Sequence, residues 1–182
     1  NTSVGGYSIA AGDVDGDGQA EVIAGGSNSS NDGITVFDDE GNFRFFYPTN
    51  SEVVKDIELG DVDNDGVDEI VACNNGVNTG SIYVINGTNG HNISGWPKNF
   101  TDDFIVDIAL GNLDRNPGKD IAAISSSIPP GTLYAFDSTG TELWNNTTVR
   151  GRSVKIGNVD NDEEEEVVIG DNGSNHVYVY NG

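Results

Sequence analysis

Asp13-Val14-Asp15-Gly16-Asp17-Gly18-Gln19-Ala20-Glu21 decides how the chain is read. Carboxylates stand at positions 1, 3, 5 and 9 of a nine-residue loop. Side-chain oxygens at alternate positions of a tight loop can wrap one hard cation, and Ca²⁺ takes six to eight oxygens at about 2.3–2.6 Å. Gln19, at position 7, would add its backbone carbonyl. Gly18 permits the left-handed backbone that turns the chain, and Val14 can point into a core. An EF-hand loop would run to a twelfth-position Glu between two helices. Here Glu21 opens a β-type run, Val22-Ile23-Ala24, so the loop joins two strands.

The loop recurs. Asp61 to Glu69 repeats it closely, and Asn112 to Asp120 and Asn158 to Glu166 repeat it with changes. The starts at 13, 61, 112 and 158 give a period of 46 to 51 residues, in the range where self-similarity decides a fold. Ahead of each loop runs an alternating apolar lead-in ending in Gly: Ile9 to Gly12, Ile57 to Gly60, Ile108 to Gly111 and Val154 to Gly157. Alternation predicts a first strand, A. After each loop a second, B, is apolar on both faces, as a covered strand is: Glu21 to Ala24, Glu69 to Ala72, Asp120 to Ile124 and Glu166 to Ile169. A third, C, follows a variable turn at Ile34 to Phe37, Ile82 to Ile85, Leu133 to Phe136 and Val177 to Tyr180. A looser fourth, D, is expected at Phe43 to Tyr47, His91 to Trp96 and Thr141 to Trp144, with Pro97 suited to an outer edge.

Four short strands per unit, with each unit unable to bury both faces alone, predict β-propeller blades. The expected class is all-β: one repeat domain over 1–182, with four-stranded antiparallel blades at about 5–50, 51–104 and 105–149 and an incomplete one at 150–182. A sandwich would not need one loop type between the same two strands four times, and a parallel β-helix would have shorter turns.

Gly12 to Gly18, followed by Glu21-Val22-Ile23-Ala24-Gly25-Gly26, resembles the FG-GAP repeat found in the propeller of integrin α subunits and in many secreted microbial proteins. The resemblance implies Ca²⁺ between strands A and B of each blade. Carried over by position, the first ligand set is Asp13, Asp15, Asp17, the Gln19 carbonyl and Glu21. The second is Asp61, Asp63, Asp65, the Val67 carbonyl and Glu69. The third loop offers Asn112, Asp114, Asn116, the Gly118 carbonyl and Asp120, with Pro117 where the pattern has Gly. The fourth offers Asn158, Asp160, Asp162, the Glu164 carbonyl and Glu166, with Glu163 in the Gly place. The family ring has seven blades as a rule, and the fourth repeat here stops after C. An open edge on strand 177–180 is expected to be met by neighbouring blades of a longer propeller or by a strand from a neighbouring subunit.

Composition narrows the function. Thirty acidic against eight basic residues give a formal charge of −22, which excludes a basic nucleic-acid footprint. No run approaches the roughly 18 apolar residues of a membrane span, so no membrane insertion is expected. The lone Cys73 cannot form an internal disulfide and reads as a buried small hydrophobe. Sequons fall at Asn1, Asn28, Asn86, Asn92, Asn99, Asn145, Asn146 and Asn172. About three would arise by chance in a chain this rich in Asn, Ser and Thr, so glycosylation and an extracellular or cell-surface location are expected.

Three functions were open from sequence. The preferred one is an extracellular, calcium-stabilised scaffold for adhesion or a surface structure, binding a protein or glycan on the propeller face. An enzyme is not expected: His91 and His176 lie in different repeats, Cys73 has no partner, and the metal loops absorb most paired carboxylates. A carbohydrate-binding module, or a non-catalytic appendage of a secreted polysaccharide-active enzyme, is the second reading, and a filament or coat subunit the third. Trp96 and Trp144 are expected to pack on the next blade rather than stack on sugars.

Overall fold

The computed structural model describes residues 6–26, 32–50, 52–77, 79–126, 130–171 and 175–182. The first blade is β1 (Gly6–Gly12), β2 (Glu21–Gly26), β3 (Gly33–Phe37) and β4 (Phe43–Pro48). The second is β5 (Val53–Gly60), β6 (Glu69–Asn75), β7 (Thr79–Asn86) and β8 (Lys98–Thr101). The third is β9 (Ile105–Gly111), β10 (Asp120–Ser125), β11 (Gly131–Phe136) and β12 (Glu142–Val149). The fourth has β13 (Gly151–Gly157), β14 (Glu166–Asp171) and β15 (His176–Tyr180). Each sheet is an antiparallel meander in chain order, four-stranded three times and three-stranded once. These are propeller blades forming part of a propeller, with no helix among the described residues.

The blades stack face to face. One apolar core lies between the first and second, around Ile23, Ile34, Val36, Ile57, Ile70 and Ile85. A second joins Val71, Ile82 and Val84 to Ile108, Ile121 and Phe136. A third joins Ile124, Leu133 and Ala135 to Val154, Val167 and Ile169. The B strands of the two inner blades, β6 and β10, therefore give alternate residues to the cores on their two sides, which is why they read as apolar throughout. Aromatics repeat the step outside: Tyr47 meets Tyr83 at 5.5 Å, Trp96 meets Phe136 at 5.9 Å, and Trp144 meets Tyr180 at 6.0 Å. Trp96 and Trp144 thus pack on the following blade, as expected.

The outer strand of the second blade departs from expectation. Residues 91–96 contribute one bridge, Ile85 to Asn92, and pairing resumes at Lys98. The Asn86–Gly90 turn closes with Gly90 N donating to Asn86 O at 2.8 Å. The chain then folds over Gly95 so that the Trp96 indole enters the next interface, its Nε1 donating to Ser138 O at 3.4 Å. Pro97 has no N–H to give a ladder, so the strand begins after it. The third outer strand is longer than expected, running to Val149.

Candidate metal centre

All four loops fold alike because their own side chains take the loop N–H groups. In the first, Asp13 accepts from Gly16 N at 2.7 Å and Gly18 N at 2.8 Å, Asp15 from Asp17 N at 3.2 Å, and Asp17 from Gln19 N at 2.8 Å. In the second, Asp61 accepts from Asp65 N and Gly66 N, Asp63 from Asp65 N, and Asp65 from Val67 N. The ninth residue reaches back to the second: Glu21 Oε2 to Val14 N at 3.0 Å, Glu69 Oε2 to Val62 N at 2.9 Å, Asp120 Oδ2 to Leu113 N at 2.7 Å and Glu166 Oε2 to Val159 N at 2.6 Å. Each is buried and ties the loop to its B strand.

Left-handed backbone recurs at position 4, which spacing alone did not single out: Gly16 (φ 79°), Asn64 (60°), Arg115 (64°) and Asn161 (70°). Pro117 cannot take positive φ, and in that loop Gly118 takes it instead, at 94°. Glu163 stands at position 6 of the fourth loop without it.

Three of the loops gather three carboxylates within 4.8 Å: Asp13, Asp15 and Asp17; Asp61, Asp63 and Glu69; Asp160, Asp162 and Glu166. Two hold a further sign. Glu69 Oε1 and Glu166 Oε1 are buried with no hydrogen-bond partner. A buried polar atom left unsatisfied costs about 1–3 kcal/mol, more when charged, and a cation among these acids removes that cost. Burial pushes the Glu69 carboxyl up to about 7, against the Val62 and Asp63 N–H groups. The donor sets of these two loops fit a hard, oxygen-preferring metal ion.

The other two differ. In the third, Asp120 Oδ1 accepts from Ser138 N at 3.0 Å and Asp114 Oδ2 from Asn116 Nδ2 at 2.7 Å. Asn112 accepts from Arg115 N at 2.7 Å and donates to Asn116 O at 3.2 Å, as Asn158 does to Asp162 O at 2.6 Å in the fourth. The third loop's polar groups thus find their partners within the blade. In the first, Arg44 of β4 enters: its Nη1 lies 2.6 Å from Asp15 Oδ2 and 3.8 Å from Glu21 Oε2. Arg44 lies outside every loop, and nothing in the repeat pattern marks it.

The loops are also linked to one another. Lys119 N donates to Asp61 O at 2.9 Å, and Glu165 N to Asn112 O at 2.8 Å. In both, position 8 of one loop holds position 1 of the loop before. Glu165 Oε2 also accepts from Asn112 N at 2.6 Å. A parallel series runs along the inner strands, where Asp56 Oδ2 accepts from Ile108 N at 3.3 Å and Asp107 Oδ2 from Val154 N at 2.7 Å. Both stand five residues before their loops, a regularity visible in sequence. Burial, with hydrogen bonding and repulsion from Asp107, pushes Asp56 up to about 6.

No catalytic set assembles from the residues considered for one. His91 and His176 are exposed and lie in different blades. Cys73 is fully buried, and burial pushes its thiol well up. Sequon residues Asn92, Asn99 and Asn145 are exposed, and Asn86 and Asn146 are half-buried. Asn1, Asn28 and Asn172 lie outside the described residues.

Blades joined face to face, with an acidic loop between the first two strands of each, define a β-propeller repeat protein. Residues 13–72 match the family model described as FG-GAP-like repeat. No curated protein sequence matches the chain. Among solved structures it is similar to BBS1N in complex with ARL6DN (TM-score 0.66, 8% identity, 98% of this chain and 58% of that one). It is also similar to a Bacillus licheniformis rhamnogalacturonan lyase (0.64, 16% identity, 90% and 39%) and to the exotype rhamnogalacturonan lyase YesX (0.63, 14%, 96% and 38%). The chain thus spans less than two thirds of each of these, and at such identities the likeness is one of fold.

Proposed function

We propose that this protein is an extracellular, Ca²⁺-stabilised β-propeller scaffold that binds a protein or glycan partner and performs no catalysis itself. The observation that carries the reading is the partnerless, buried Oε1 of Glu69 and of Glu166, each inside a carboxylate cluster. With all-oxygen donors, the ion that suits such sites is Ca²⁺ rather than a thiolate- or imidazole-bound metal. Loops one and three would be weaker sites, one because Arg44 already offsets its charge and three because its groups are internally satisfied. Affinity would fall in the roughly 10⁻⁴–10⁻³ M range of extracellular modules.

The binding face is the end away from these loops. Asn50 and the short connection 102–104 lie there, with left-handed backbone at Asn50 and Asp102. BBS1N, solved in complex with ARL6DN, supports the interaction reading by analogy of fold. The two lyases support the alternative, a non-catalytic part of a polysaccharide-active protein.

The test is a melting curve with Ca²⁺ and with excess chelator, read beside the intact mass from a native source. Chelation is expected to lower the melting temperature, and glycans to raise the mass above 19.2 kDa. An unchanged melting curve would remove the calcium reading, and a bare mass the extracellular one.

A further inference from the structure

Position 4 is left-handed in every loop, and in three of them the residue suits it: Gly16, Asn64 and Asn161. Arg115, with φ 64°, is the exception. Gly and Asn enter that region readily, and a long side chain seldom does. Residues held there against preference cluster where the side chain has a task. Arg115 reaches out of its own loop into the fourth blade. Its Nε lies 2.9 Å from Glu164 Oε1 and its Nη1 3.6 Å from Glu163 Oε2. The residue after these is held as well: Glu165 N donates to Asn112 O at 2.8 Å, and Glu165 Oε2 accepts from Asn112 N at 2.6 Å. Positions 6, 7 and 8 of the fourth loop are thus all gripped by the third.

The fourth loop lacks what shapes the others. The first three turn in their second half on a left-handed glycine, Gly18 (88°), Gly66 (91°) and Gly118 (94°). Among the described residues of the fourth, left-handed backbone is confined to Asn161, and Glu163 and Glu164 stand where those glycines stand. Glu163, Glu164 and Glu165 are also three adjacent like charges, which repel one another. Yet this stretch carries the position-7 carbonyl, that of Glu164, beside the cluster of Asp160, Asp162 and Glu166. Glu166 is 2% exposed, and its Oε1 is buried there without a partner.

We infer that Arg115 is a positioning residue for the cation site of the fourth loop, supplied across the joint by a loop that is itself a weak site. It rests on the Ca²⁺ reading of that loop. By holding Glu164, Arg115 fixes the stretch that Gly66 fixes by its own backbone in the second loop, where no ion pair reaches among the described residues. The sign is the distinguishing consequence. By charge alone a guanidinium opposes a nearby cation, as Arg44 does at the first loop. As a positioning residue Arg115 favours the cation, so removing its charge weakens binding.

The experiment is a Tb³⁺ luminescence titration of the 182-residue chain carrying Glu69→Gln, which leaves the fourth loop as the strong site. Adding Glu166→Gln to this parent should abolish the tight phase and so assigns it. Arg115→Asn removes the guanidinium and installs the residue that the second and fourth loops have at position 4, so the left-handed backbone is kept. Melting without metal verifies the fold. Arg115→Asn is expected to weaken the tight phase by about fivefold, the scale of one half-exposed ion pair. In a parent that also carries Glu164→Gln, which leaves the position-7 carbonyl in place, Arg115→Asn should no longer weaken it. Unchanged or tighter binding in Arg115→Asn overturns the inference, as does a loss that persists in the Glu164→Gln parent. A parent with no tight phase, or with one that survives Glu166→Gln, removes the ion from the fourth loop and the inference with it. A tight phase that Glu166→Gln abolishes and Arg115→Asn does not weaken removes the inference alone.

Discussion

Arg44 Nη1 lies 2.6 Å from Asp15 Oδ2, so an outer-strand guanidinium stands inside the acidic loop of its own blade. It also lies 3.8 Å from Glu21 Oε2, the buried ninth residue. Burial pushes the Glu21 carboxyl up, while Val14 N–H and Arg44 work against that. A positive charge here does part of what a cation would do and repels the cation itself. Arg44→Gln is expected to strengthen divalent binding at the first loop by roughly tenfold, from the Coulomb energy of a unit charge near a divalent ion in high dielectric. Titration with luminescent Tb³⁺ reads it. Unchanged or weaker binding would show that Arg44 does not oppose the ion.

The second loop is expected to respond to metal most strongly. Glu69→Gln removes a buried carboxylate whose Oε1 has no partner. Without metal the change should be tolerated, within about 1 kcal/mol, because it relieves burial of charge. With Ca²⁺ it should abolish most of the metal-dependent gain in melting temperature. Asp120→Asn in the third loop should cost stability to a similar extent with and without metal, since Leu113, Asp114 and Ser138 N–H groups already hold its carboxylate. Paired melting curves in Ca²⁺ and chelator decide. Equal metal dependence in the two variants would refute the ranking.

Much of this was legible before the structure. The four loops, their flanking Gly and the A, B and C strands are periodic and local, so hydrophobic alternation and turn chemistry suffice. The outer strand of the second blade was not, because what moves it to Lys98 is the burial of Trp96 against Phe136 of another blade. Arg44 was hidden for the same reason: it reaches the loop across its own sheet. Asp56 and Asp107 were within reach, since each sits five residues ahead of its loop. What they do there, capping an N–H of the next blade's inner strand, depends on a neighbour that local spacing does not show.

Acid is expected to stabilise the metal-free protein through Asp56. Its carboxyl is pushed up to about 6 in the fold, against an ordinary 3.8. A raised carboxyl binds its proton more tightly when folded, so its contribution is complete below about 4 and is lost as pH rises through about 6. Around it stand Asp107 from β9, Glu58 on its own strand and Cys73 from β6. Lys155 of β13 is held by Glu58 at 2.6 Å. In chelator, melting temperature should rise as pH falls from about 7 to about 5. Asp56→Asn should flatten that rise, and Glu58→Gln should keep most of it. A profile that Asp56→Asn leaves unaltered would place the dependence elsewhere.

Gly111 and Gly157 end the same strand in consecutive blades, yet a side chain should be felt at only one of them. A Cβ at Gly111 would press 2.1 Å from Ile156 Cγ2 and 2.7 Å from Glu165 Oε2, in the joint where Glu165 also receives Asn112 N–H. Overpacking of that kind costs roughly 1–3 kcal/mol. A Cβ at Gly157 meets nothing, and replacing Gly with Ala at a compatible position stabilises by about 0.4–1 kcal/mol through the unfolded chain. Urea unfolding should therefore separate Gly111→Ala from Gly157→Ala by more than about 1.5 kcal/mol in the stated direction. Because Gly111 joins two blades, its midpoint should fall for both together, with probes in the third and fourth blades giving coincident curves. Non-coincident curves would mean that the blades unfold separately, and equal midpoints for the two variants would mean that Ile156 does not seat against Gly111 in solution.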